Sequence, residues 1–79
     1  MTYREYVDNL LLRLDKVTNQ SQVYSELTNA VHVLKENGLS DEDIRKLFTE
    51  RIHIITEQQN SLAMRENEHR YKELIASIL

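Results

Sequence analysis

Two stretches of this chain place a carboxylate and an imidazole one helical turn apart, Glu50-Arg51-Ile52-His53 and Glu66-Asn67-Glu68-His69. Glu and His at this spacing are metal ligands. Two such pairs, with one further Glu from each of two other helices, can hold a pair of metal ions inside a helical bundle. Glu26 or Glu36 is a candidate for one of the missing carboxylates. That chemistry requires every ligand on the dry side of its helix. At about 100° per residue, Glu50 and His53 fall opposite Ile44, Phe48 and Ile55, while Glu66 and His69 fall opposite Tyr71, Leu74 and Ile78. Both pairs are therefore expected on solvated helix surface, with no metal and no cofactor.

Other chemistry has less to work with. The 79 residues include no Cys, which excludes a disulfide framework, a thiol nucleophile and any Cys-based metal site. Gly38 is the single glycine, so no glycine-rich loop cradles a phosphate, and no nucleophile elbow accompanies the serines. His32 stands among Ala30, Val31 and Val33, where an isolated histidine is expected as a partly buried polar tip. Neither catalysis nor a small-molecule substrate is expected. The start Met-Thr-Tyr-Arg carries no apolar leader core, and no run approaches the roughly 18 apolar residues of a membrane span. A cytoplasmic protein is the expectation. Ten basic and thirteen acidic residues give a net charge of −3, with the signs interleaved, which disfavours attraction to nucleic acid or anionic lipid.

The elements that would position these groups read as helices throughout, because there is no Pro and only one Gly to interrupt them. Thr2-Tyr3-Arg4-Glu5 has the form of a capping box. Behind it Tyr3, Val7, Leu10, Leu14 and Val17 recur at spacings of 4, 3, 4 and 3, a helix seam that Tyr6 and Leu11 widen and that Leu12 falls off. Thr18-Asn19-Gln20-Ser21 competes for backbone hydrogen bonds and predicts a turn or kink. A second helix then carries Val23, Leu27, Ala30, Val31 and Leu34 on one face. Asn37-Gly38 should end it in a left-handed cap, with Leu39 packing back on the last turn. Ser40 caps the next helix, and Asp41, Glu42 and Asp43 put negative charge on its positive end.

From Asp41 onward no breaker occurs, yet the apolar stripe changes sides. Ile44, Phe48, Ile55 and Leu62 share one direction, with Leu47, Ile52 and Ile54 on its flanks, whereas Tyr71, Leu74, Ile75 and Ile78 point roughly the opposite way. Two all-α architectures follow for a single domain over residues 1–79. The favoured one is a helical hairpin followed by a long third helix, since the junction has neither Gly nor Pro. The alternative breaks near Asn60-Ser61 and makes a bundle of four short helices.

The stretch Val31 to Glu50 resembles the helix-turn-helix motif of bacterial DNA-binding proteins: a helix, Gly38 in the turn, then Leu39, Ile44 and Leu47 at the motif's apolar offsets. The resemblance covers about 20 of the 79 residues. It implies that Arg45, Lys46 and Thr49 would contact DNA. The chain departs from the motif at Leu34, where a small residue is usual, and at Asn37, where an apolar one is. Asp41-Glu42-Asp43 would also face the phosphates, and like charges repel.

The C-terminal run Tyr71 to Leu79 stays apolar to its last residue. Terminal turns usually fray, so something is expected to cover it. It can close the protomer's own core, pair with a second copy, or dock on another protein. The expected contact residues are Met64, Tyr71, Leu74, Ile75, Ile78 and Leu79, with Asn67 able to set the register of a helix pair. A chain this short commonly depends on very regular helix packing or on self-association. The resulting expectation is a small acidic homodimeric regulator or inhibitor, without enzymatic activity, that masks a protein partner through an apolar helix face.

Overall fold

The computed structural model describes residues 2–59 and 62–79; the side chains of Gln59, Leu62, Ala63 and Met64 lie outside that description. Four helices follow in order, α1 (Tyr3–Leu14), α2 (Gln20–Glu36), α3 (Asp41–Gln59) and α4 (Leu62–Ile78).

The boundaries from Thr2 to Ser40 have local causes. Thr2 Oγ1 accepts from the Glu5 amide at 3.2 Å and starts α1. α1 ends at Leu14, one turn before the end of the predicted seam, because the amides of Lys16 and Val17 turn back to the carbonyls three residues earlier, Arg13 and Leu14. Val17 still packs against the core from the connection. Asn19 Oδ1 accepts from the amides of Ser21 at 2.9 Å and Gln22 at 3.3 Å, which places the predicted turn just before α2. At the far end of α2, Gly38 takes a φ of +93°. Its amide reaches the Lys35 carbonyl at 3.0 Å and the Leu39 amide reaches Leu34 at 3.2 Å. These two bonds are the Schellman arrangement, and they turn Leu39 back onto the core as its position predicted. Ser40 Oγ then accepts from the Asp43 amide at 3.1 Å to start α3.

The favoured long third helix is corrected. α3 ends at Gln59, α4 begins at Leu62, and the two pack side by side, so the four-helix alternative describes the chain; the expected break at Asn60-Ser61 itself lies outside the described residues. Length gives the physical reason. A continuous helix from Asp41 to Leu79 would run for roughly 58 Å, whereas the longest dimension of the molecule is 33 Å. Folding back lets α4 bury its own stripe. The change of side along the sequence marks two helices, each with its own apolar face, and not one helix facing two neighbours.

The pairings fix the directions. Tyr3 lies by Asn37 and Arg13 by Glu26, so α1 and α2 are antiparallel. His53 lies by Glu68, and the first turn of α3 meets Ala76 and Leu79, so α3 and α4 are antiparallel too. The fold is two helical hairpins laid on one another, with α1 along α3 and α2 along α4, and one core between them. α1 and α3 are parallel, since Arg4 borders Asp43 and Asp8 binds Arg51. Phe48, Leu11, Leu14, Leu27, Leu34, Ile44 and Ile52 fill the centre, and Leu12, off the stripe, is 40% exposed.

One charged pair locks the layers. Arg51 on α3 donates from Nε to Asp8 Oδ1 and from Nη2 to Asp8 Oδ2, both at 2.7 Å. The side chains are only 16% and 26% exposed, so this fork sits largely out of water where two-point geometry counts. The hydrogen bonds that Arg51 donates to Asp8, with the charge of that carboxylate, raise the Arg51 pKa above its ordinary value against the opposing effect of burial.

Candidate interaction surface

The residues singled out in sequence scatter over the molecule. Glu50, His53, Glu66 and His69 are all exposed. Their nearest charges are surface neighbours: His53 lies 3.2 Å from Glu57 and 3.7 Å from Glu68, and His69 lies 2.8 Å from Glu73. Among the described residues no three His, Asp or Glu side chains converge as a metal site would require. His32 is more exposed than expected and meets Glu36 at 3.0 Å, because it points off the apolar face of α2.

Arg45, Lys46 and Thr49 do lie on the exposed side of α3. Lys46 is engaged by Glu42 at 3.2 Å, and Asp41 draws Lys35 across the corner at 3.1 Å. The surface they share is therefore of mixed sign and not a cationic face.

The C-terminal run takes the core-closing place. Tyr71 and Ile75, one turn apart on α4, are each 2% exposed inside the core, and Leu74, Ile78 and Leu79 are half-buried against it. Met64 lies outside the described side chains. As anchors for another molecule, Tyr71 and Ile75 are thus corrected: the return of α4 onto α2 and α3 covers them within one protomer. Burial, followed by the charge of Asp15, raises the Tyr71 pKa. Neither this shift nor that of Arg51 marks a catalytic group, since each belongs to a group that holds the bundle together. The Thr56 hydroxyl is a buried polar group without a hydrogen-bond partner among the described residues.

What stays exposed and apolar lies elsewhere. Tyr3 is 46% exposed, Tyr24 45% and Leu12 40%. Leu12 stands alone, and Tyr24 borders a shallow furrow with Ser25, Thr28, Asn29 and His32. Tyr3 belongs to a larger feature. The Thr2 cap starts α1 so early that Tyr3, in the core direction, projects past the end of the core. Its hydroxyl donates to the Asn37 carbonyl in a long 3.5 Å bond. The Schellman turn brings Leu39 beside it, and the Ser40 cap sets Asp43 and Leu47 one turn apart on the facing helix.

Thr2, Tyr3, Arg4, Leu39, Asp43 and Leu47 thereby line a groove of about 610 Å³. A smaller furrow of about 150 Å³ runs on the other side of the Tyr3 ring, between Tyr6, Val33 and Asn37. The floor is apolar. Arg4 stands on the α1 wall and Asp43 on the α3 wall, and neither side chain makes an ion pair with any described residue. What the described lining offers is an apolar anchor between opposite charges. The groove is not legible in the sequence, because Tyr3, Leu39 and Leu47 each occupy core-facing positions there. No family model, curated protein or solved structure matches this chain.

Proposed function

We propose that this protein acts as a small non-enzymatic protein-interaction module in the cytoplasm, a regulator or inhibitor that works by covering a partner's surface. The observation that carries the reading is the groove beside Tyr3, an aromatic ring nearly half exposed between half-buried Leu39 and Leu47. Aromatic side chains that are exposed in the free protein and flanked by apolar walls are the usual anchors of protein interfaces, and a polar rim orients what docks. This moves the expected binding face from the C-terminal run to the seam between the starts of α1 and α3.

The test compares two baits. Wild-type protein and Tyr3→Glu are immobilised and exposed to the same native lysate, after matching melting curves show that both are folded. Proteins held by the wild type and lost by Tyr3→Glu are the expected result; identical capture by both would overturn the reading. A control on generic duplex DNA separates the corner-based alternative. Binding to DNA that collapses between about 50 and 200 mM salt would put Arg45, Lys46 and Thr49 in its place.

A further inference from the structure

Resting on that reading, we infer that the occupant of the Tyr3 groove is a second copy of this chain, seated by a two-fold axis along the groove. Charge is what selects this occupant. Arg4 and Asp43 face the groove from opposite walls, opposite in sign and without an ion-pair partner among the described residues. Nearby, Lys35 is paired with Asp41 and Glu42 with Lys46. A two-fold rotation about the groove exchanges its walls. It sets Arg4 against the partner's Asp43 and Asp43 against the partner's Arg4, so one unpaired charge of each sign becomes two ion pairs. A surface with one cation and one anion on either side of an apolar strip is complementary to itself, as a symmetric dimer interface must be.

The remaining terms point the same way. Each protomer carries a net charge of −3, so two copies repel weakly at long range, and contact is favoured where opposite charges meet at close range. The Tyr3 ring of each copy, nearly half exposed at the groove, would cover the partner's Leu39 and Leu47. Size sets the strength. A standard interface takes ~800 Å² per partner, about one sixth of the 5059 Å² that this fold exposes. A groove bounded by six residues is smaller, which puts the contact in the weak, transient class of interfaces.

The experiment is sedimentation equilibrium at low and moderate salt, from about 10 µM to 1 mM protein, the span in which weak complexes form. Wild-type protein should pass from one to two protomers, and salt should shift the transition to higher concentration. Arg4→Asp and Asp43→Arg should each weaken association by at least about ten-fold, because each places like charges together twice. An equimolar mixture of the two variants should recover a dimer, since every facing pair is then opposite in sign, and the double variant should recover one by itself. Melting curves of all four proteins guard against misfolding, and the recovery in the mixture is a result that unfolding cannot mimic. Wild-type protein that remains one protomer throughout, or single variants that associate as it does, would overturn the second copy as occupant. If Tyr3-dependent capture from lysate persists in that case, the groove belongs to a different protein and the interaction reading stands alone; if it too is absent, both fall.

Discussion

Tyr71 shows how one side chain can be read wrongly from its position and rightly from its surroundings. In the sequence it belongs to a terminal apolar run and looks available; in the fold it is 2% exposed, packed inside the bundle. Its phenol is held neutral first by burial and then by the charge of Asp15. The sign of the resulting pH dependence follows. A folded-state pKa above the unfolded value of about 10 means that unfolding favours the phenolate. The contribution is complete below pH of about 10 and is lost as pH rises through the higher folded value. The expected outcome is a melting temperature of the wild type that falls in that alkaline window, and a shallower fall for Tyr71→Phe, followed by circular dichroism. Equal slopes for the two proteins would show that Tyr71 does not govern the alkaline limb. The Arg51–Asp8 fork makes the complementary point, because neither residue stands out in the sequence, and only the parallel packing of α1 on α3 brings them within 2.7 Å.

Helix ends were the most legible features of the chain. Thr2, Asn19 and Ser40 each accept from an amide two or three residues on, and caps of that kind depend on local sequence alone. Gly38 is equally local, and it turns the chain from α2 to Leu39, which lines the groove beside Tyr3. Its φ of +93° suits glycine, and a Cβ there would meet nothing within 4 Å. Gly38→Ala should therefore cost backbone strain without a clash, about 1 kcal/mol, or about 5 °C of melting temperature for a domain this size. Thermal melting checks this, and an unchanged midpoint would mean that the corner relaxes into another turn. The helix that proved hardest to delimit was the third. Gln59 and Leu62 bound two separate helices, although no Gly or Pro lies between them. What drives the return of α4 is the burial of Tyr71 and Ile75, which no local signal reports.

At the scale of the whole molecule, α4 is a structural member of the bundle. It covers parts of α2 and α3 and supplies Tyr71 and Ile75 to the core. Loss of one large buried side chain costs roughly 2 to 5 kcal/mol, and a chain of 79 residues has a total stability on the order of 4 to 12 kcal/mol. Deletion of residues 71–79 should accordingly abolish cooperative thermal unfolding at any protein concentration. A shortened chain that still melts cooperatively near the wild-type temperature would show that two hairpins do not need the last two turns. By itself, the sequence determined an all-α chain, the starts of α1, α2 and α3, the Gly38 corner and the buried faces of the first three helices. Those features follow from periodicity and from hydrogen bonds that close within a few residues. The tertiary structure alone decided that the last helix folds back, that the terminal apolar run is spent inside the protomer, and that Tyr3, Leu39 and Leu47 border an open groove. A residue's spacing tells which side of its helix it occupies; whether that side meets another helix or water depends on segments tens of residues away.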